Sequence, residues 1–338
     1  MKLPFYFLLL LTSFTACQPQ QKQEQQVQQQ HIQQAIIQKK IFFEELPSAS
    51  GVELVDSLFY ILSDDSPFLY VLNPQYQLID TIRLFETKHF INGRIPTEVK
   101  YDPEALAQLQ QNGQRTLIAV GSGAKELRER VFLIDLPKSA QKRPQVTQTL
   151  FKNLYAGLKN DAQVGGQEQL NLEGLAVDAQ FVYLLPRTLK TTGTVLVYRL
   201  QEWQNFLADS AATPVYQKLQ QVKLPELHGV KAGMSGATVF DGYLFFTASV
   251  ENTQSATLDG EVLGSFVGRV ALEAVHQNQK AVVKPAALQI INSDGSPYTG
   301  KAESLTVLEK TAENQYRAVV VSDDDQGHSE VLEVELRF

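Results

Sequence analysis

Five short segments of this 338-residue chain repeat one pattern, an oxygen-bearing side chain followed by small and aliphatic residues. They are Ser50-Gly51-Val52-Glu53-Leu54, Glu104-Ala105-Leu106, Glu173-Gly174-Leu175-Ala176-Val177, Ser235-Gly236-Ala237-Thr238-Val239 and Glu303-Ser304-Leu305-Thr306-Val307. Their first residues stand 54, 69, 62 and 68 positions apart. A period of that size marks one supersecondary unit used again and again, so the fold must be built from repeats.

Each unit reads as four strands rich in β-branched, aromatic and aliphatic residues with turn-formers between them. In the third these are Leu175 to Asp178, Phe181 to Leu185, Thr194 to Arg199 and Tyr216 to Leu224. The fifth has only three, Leu305 to Leu308, Arg317 to Val321 and Val331 to Leu336, before the sequence stops at Phe338. An apolar-rich run from Ile36 to Leu46 precedes the first unit and has no other partner, so it is expected to supply the absent strand. The expected fold is all-β, a five-bladed β-propeller closed by an N-terminal strand completing the last blade, an architecture that leaves only short, protected sheet edges. An open array or a sandwich of about twenty short strands is the alternative.

Residues 1–16 have the form of a secretory signal, with Lys2 ahead of the apolar stretch Leu3 to Leu11 and small residues before Cys17. That stretch is too short to span a membrane. Cys17 is the only cysteine, so no disulfide framework and no Cys-based metal site can form. A lone Cys at this position resembles a bacterial lipoprotein box, which implies lipidation of Cys17; ordinary cleavage near Ala16 is the alternative. The Gln-rich segment within residues 17–35 buries too little apolar surface to order itself and reads as a tether to a domain over 36–338. Gln18 rather than Asp after the cysteine implies the outer membrane of a cell envelope, with the lipid as the only membrane attachment.

A formal charge of −7 without a basic run argues against a nucleic-acid partner. There is no Gly-rich phosphate loop, no HExxH and no Gly-x-Ser-x-Gly elbow, and His31, His89, His228, His276 and His328 lack ligand spacing. Nothing in the sequence calls for an oligomer, and a monomer is expected.

In a propeller the innermost strands line the central channel, so Ser50, Glu104, Glu173, Ser235 and Glu303 should form one layer around the axis. Three carboxylates that close together cannot all stay ionised without a positive charge among them. Ca²⁺ is the expected cation, because it takes about six to eight oxygen ligands whereas Zn²⁺ prefers the His and Cys that are lacking. The alternative is a layer of carboxylates bonded to backbone amides. Glu53, by strand alternation, should point away from the axis.

This order of Ser, Glu, Glu, Ser, Glu resembles the apyrase family of calcium-activated nucleotidases, five-bladed propellers that hydrolyse nucleoside diphosphates. Asp64-Asp65 and Leu185-Pro186-Arg187 resemble that family's first-blade Asp pair and third-blade Leu-Pro-Arg, and Ala302-Glu303-Ser304-Leu305 is similar to its Glu-Gly-Ile segment. The resemblance implies a calcium role for the five anchor residues. The polar segment Glu251 to Gly264 has no counterpart in the pattern. Leu172-Glu173-Gly174-Leu175 and Val321-Ser322-Asp323-Asp324 also resemble bacterial esterase-like phytase propellers.

Lys100, Lys231 and Lys301 stand shortly before three anchors and, with Arg187, could hold a phosphate; each could equally offset the carboxylates. Asp64, Asp65, Glu251, Asp323 and Asp324 follow second strands. There Asp64 and Asp65 could orient or deprotonate a water and Glu251 could contact substrate, or the group could serve only as turn residues. Two function classes follow: a calcium-dependent hydrolase of phosphate anhydrides or esters acting on a small phosphorylated substrate, or a non-catalytic surface propeller that binds a ligand or partner protein and keeps a structural calcium.

Overall fold

Two-residue turns with left-handed backbone, such as Asp56-Ser57 (φ 51° and 67°) and Asp241-Gly242 (φ 49° and 77°), fold successive apolar runs back on one another as antiparallel hairpins. In the computed structural model, which describes Met1 and residues 33–338 save 112, 138–141, 165–168, 190–191, 210, 254, 256, 259 and 278–280, these hairpins build an all-β architecture within Gln33–Phe338. The signal, Cys17 and most of the tether fall outside the described residues. Among the described residues no helix is long and apolar enough to cross a membrane.

The chain opens with β1 (Gln34–Phe43). A first antiparallel quartet follows, β2 (Ala49–Val55), β3 (Leu58–Ser63), β4 (Phe68–Leu72) and β5 (Leu78–Arg83). The next is β6 (Pro103–Gln111), β7 (Gln114–Gly121), β8 (Arg130–Leu136) and β9 (Gln145–Leu150), and the third is β10 (Leu172–Val177), β11 (Phe181–Pro186), β12 (Gly193–Arg199) and β13 (Lys218–Val222). A small hairpin of β14 (Glu226–Leu227) and β15 (Val230–Lys231) leads into β16 (Gly233–Phe240), β17 (Tyr243–Asn252), β18 (Glu261–Ala271) and β19 (Ala286–Ile291). The last strands are β20 (Lys301–Ala312), β21 (Gln315–Asp323) and β22 (Ser329–Arg337).

β1 lies antiparallel to β22, Gln34 opposite Arg337 and Phe43 opposite Ser329, and so completes the final quartet. It also meets β19 in parallel over Ala35 and Ile36, which joins the last two quartets into one eight-stranded sheet. The first strands pack in succession, β2 on β6, β6 on β10, β10 on β16, β16 on β20, and β20 back on β2. The arrangement is closed. Each sheet face meets the next through its own apolar cluster: Leu62, Leu106 and Phe132 join the first two quartets, and Val319, Val321 and Ile61 join the last to the first.

Strand patterning does not foresee the three α-helices among the described residues: α1 (Lys152–Asn160), α2 (Leu200–Ala208) and α3 (Leu272–His276). Leu154, Tyr155 and Leu158 of α1 and Trp203 and Phe206 of α2 recur at helical spacing and are buried in one apolar cluster with Val182 and Tyr198 of the third quartet. The polar segment after Glu251 lengthens the β17–β18 hairpin, with Glu251 opposite Val262 and Asn252 opposite Glu261.

Candidate functional site

Every anchor residue is the extra residue of a β-bulge. Pairing between first and second strands slips between Ala49 and Gly51, between Pro103 and Ala105, between Leu172 and Gly174, between Met234 and Ala237, and between Ala302 and Ser304. The residues skipped include Ser50, Glu104, Glu173, Ser235 and Glu303. A bulge leaves one residue out of the ladder and re-aims its side chain, which explains how an oxygen is turned toward the axis in a strand whose other residues alternate between sheet faces.

The bulges open onto a cavity of about 120 Å³ at one end of the ring, lined by Ser50, Glu104, Glu173 and Glu303 but not by Ser235. Both serines bridge instead to the next unit: Ser50 Oγ donates to the Pro103 carbonyl (2.8 Å) and Ser235 Oγ to the Ala302 carbonyl (2.7 Å). Ser235 also lies 2.9 Å from Thr247 Oγ1, which closes it within a buried hydroxyl cluster. It therefore leaves the expected ligand layer and acts as a clasp between units.

A second tier stands two residues before each anchor: Ser48, Asp102, Asn171, Gly233 and Lys301. All but Gly233 line the cavity. Each faces a residue on or just after the second strand, namely Asp64, Ser122, Arg187, Ser249 and Asp323. At Gly233 a Cβ would stand 2.7 Å from Arg187 Nε, so the missing side chain is what lets Arg187 lie across this position.

Charge is concentrated here, with eight acidic and five basic residues in the lining. Lys100 Nζ contacts Asp64, Asp65 Oδ1 (3.0 Å) and Asp102 Oδ1 (3.0 Å), and burial, which opposes its charge, is outweighed by the three carboxylates. Asp65 also accepts from Ser48 Oγ (3.1 Å) and Arg94 Nε (2.7 Å); against burial, Lys100 and Arg94 hold its carboxyl below the usual range. Burial instead pushes Asp64 up to about 7, with Lys100 opposing, and its Oδ1 has no hydrogen-bond partner among the described residues.

Across the axis, Arg187 bonds Glu251 and approaches Glu173 Oε1 (3.6 Å), while Lys301 pairs with Glu303 Oε1 (3.0 Å). Burial and then the Glu303 charge raise Glu173 to about 8, and burial and then Asp64 raise Asp323 to about 8. Glu104 is raised well above the usual range by burial and then by Asp102, Glu173 and Asp64. Its carboxylate has no hydrogen bond or ion pair with any described residue. One oxygen each of Asp64, Asp102 and Glu104 lies within 4.8 Å of the others, a spacing able to surround one cation.

The structure brings together Asp64, Asp65, Lys100, Arg187 and Lys301 with all three carboxylate anchors and Ser50. Three expected site residues fall elsewhere. Lys231 is exposed on the β14–β15 hairpin and does not line the cavity, because that hairpin intervenes before β16. Glu251 is 1% exposed and sits behind Arg187, a counter-ion and not a surface for substrate. Ser235 is the clasp described above. Asp324 likewise turns aside, accepting from His328 Nδ1 at 2.8 Å. Glu53 does point away from the cavity, toward the backbone of Gln108 in the neighbouring quartet.

Sequence reasoning missed Asp102, Arg94, Arg128, Asn171 and Asp325 in the lining. Asp102 and Asn171 share the repeat phase of Lys301, two before an anchor, and that phase was the available signal. Arg94 and Arg128 come from connections between strands, where no repeat phase exists to find them.

Among solved structures, glutaminyl cyclase of Myxococcus xanthus is similar at 12% identity and a TM-score of 0.47, over 90% of this chain and 97% of that one. The GH43 endo-arabinanase of Bacillus licheniformis is similar at 11% identity and a TM-score of 0.45, over 88% and 96%. The PQQ-bound aldose sugar dehydrogenase of Streptomyces coelicolor gives 11% and 0.39, over 90% and 99%. No curated protein matches the chain in sequence. Residues 45–336 match a family of unknown function, DUF6929, and the chain belongs to that family.

Proposed function

We propose that the closed ring is a five-bladed β-propeller whose mouth binds Ca²⁺ and hydrolyses phosphate esters or anhydrides of small substrates. The observation that carries this reading is the juxtaposition of Asp64, Asp102 and Glu104 within 4.8 Å. The donors fit a hard cation: all are oxygens, Asp64 Oδ1 is buried without a partner, and Glu104 faces the cavity unpaired. Glu173, Glu303 and Ser50 complete the candidate ligand set, without Ser235. Ca²⁺ bound there would neutralise the carboxylates and offset charge developing on a phosphoryl group.

Asp64 is the residue suited to orient an attacking water, since Lys100 holds its Oδ2 and its Oδ1 would stand at the cation. Asp65, fixed by Ser48, Arg94 and Lys100, serves to position that assembly. Cys17 is the proposed lipid attachment, holding the domain at an outer membrane as a monomer.

A second reading is favoured by a specific observation: Lys100 and Arg187, the cations suited to phosphate, are both committed to carboxylates. On that reading the calcium is structural and the propeller binds a ligand or partner protein. Hydrolysis of a panel of nucleotides, sugar phosphates and inositol phosphates, measured with Ca²⁺ and with chelator, separates the two. Calcium-dependent turnover abolished by Glu104→Gln supports the hydrolase; calcium binding without turnover supports the binding module; and no calcium binding refutes both.

A further inference from the structure

The mouth holds more carboxylates than one divalent ion requires, and a protein cation already sits among them. We propose that the Lys100 ammonium occupies the place of a second divalent ion, so that the centre is mononuclear and carries its second positive charge on a side chain. The inference rests on the calcium reading for the first ion.

Lys100 is delivered by the turn after Pro96, whose carbonyl accepts from the Val99 and Lys100 amides (3.0 Å each). Its ammonium donates hydrogen bonds to Asp64 and Asp65 and pairs by charge alone with Asp102, so three carboxylates surround it. Asp64 and Asp102 are the same residues whose oxygens close with Glu104 to within 4.8 Å. The ammonium thus stands at the edge of a ligand set, where a metal would share its partners.

Its fit is incomplete. Asp102 is 2% exposed; its Oδ2 accepts from Ser122 Oγ and from Arg128 Nη1 (2.6 Å), while its Oδ1 is 3.0 Å from Lys100 without hydrogen-bond geometry. Asp64 Oδ1 is buried and unpartnered. An ammonium offers one charge and three directed bonds, whereas a divalent ion offers two charges and takes about six to eight oxygens without directional demand. The two unsatisfied oxygens, which the first ion would use, are also the ones able to bridge it to a second ion once the ammonium is gone. Paired metals in hydrolases stand about 3.5–4 Å apart; Lys100, bonded to Asp64 and Asp65 and beside Asp102, holds the position next to the Asp64, Asp102 and Glu104 set where a second metal would stand.

The experiment is calorimetric titration of the protein with Ca²⁺ alone, reading stoichiometry. Wild type should bind one equivalent, Lys100→Gln two, and Lys100→Arg one. Because Lys100→Gln leaves three carboxylates without their cation, it is paired with Lys100→Gln/Asp65→Asn, which removes one charge of each sign and keeps Asp64, Asp102 and Glu104. One equivalent in wild type and still one in the folded neutral variants overturns the inference and leaves the calcium reading standing. No binding in wild type refutes the calcium reading itself and the mononuclear centre with it, whatever the variants bind. Two equivalents in wild type, or none in any variant, overturns it.

Discussion

Replacing Arg187 by Met should be among the most damaging single changes in the ring. Arg187 is 5% exposed and is the only described cation bonded to Glu251, whose side chain is fully enclosed. Removing it leaves a buried carboxylate uncompensated, and breaking such a pair from one side costs about 3–5 kcal/mol. Unfolding entropy of about 2.1 cal/mol/K per residue over ~300 residues is roughly 0.6 kcal/mol/K, so the midpoint should fall by about 5–8 °C. The cause is the stranded charge and not lost packing, so Arg187→Met/Glu251→Gln should recover most of the loss. Scanning calorimetry in chelator isolates this from metal binding. A single variant within about 1 °C of wild type, or a double variant no more stable than the single, would show that the pair does not carry the charge burden assigned to it.

Proton linkage gives a second expectation. Folding raises Asp64 to about 7 and Glu173 and Asp323 to about 8, so between about pH 4 and pH 8 the folded state holds more protons than the unfolded chain, and stability without calcium should decline as pH rises through that window. Saturating Ca²⁺ should flatten the decline; equal slopes of midpoint against pH with and without calcium would count against the site. Gly236→Ala would place a Cβ 2.4 Å from Ser304 Cα, backbone that cannot yield, and should cost about 1–3 kcal/mol in urea unfolding as an overpacked contact. Deleting residues 34–43 strips β22 of its partner and β19 of its bridge, so the truncated chain should aggregate from the exposed edge, read by light scattering; a stable monomer would argue against closure through β1. Cys17→Ser should move the protein from the membrane fraction to the soluble one, and unchanged fractionation would remove the lipid anchor.

The repeat was legible because it is imposed by packing, and the site was only half legible because its chemistry is imposed elsewhere. Gly51 and Gly174 sit beside the anchors where a Cβ would stand 2.8 Å from Leu106 Cβ and 2.4 Å from the Ser235 carbonyl of the next unit, and Gly236 is equally crowded by Ser304. The aliphatic residues that follow, Leu106, Leu175 and Leu305, are buried in the clusters between sheets. The small-then-aliphatic half of each motif is therefore a packing signature that any ring of this kind would need, whatever it binds. The oxygen in front of it is a different matter, since the bulge turns it to the axis without specifying what it does there. Two anchors spend that orientation on holding the ring: Ser50 and Ser235 bond the backbone just ahead of Glu104 and Glu303, so the serines locate the carboxylates. Strand alternation alone could not separate these roles, and neither could it show that Lys231 belongs to a hairpin or Glu251 to Arg187, contacts between residues distant in sequence. What distinguishes this ring from another with the same motif is the tier two residues earlier, where Asp102, Asn171, Gly233 and Lys301 replace one another at equivalent positions. The divergent residues, more than the repeated ones, determine the charge at the mouth.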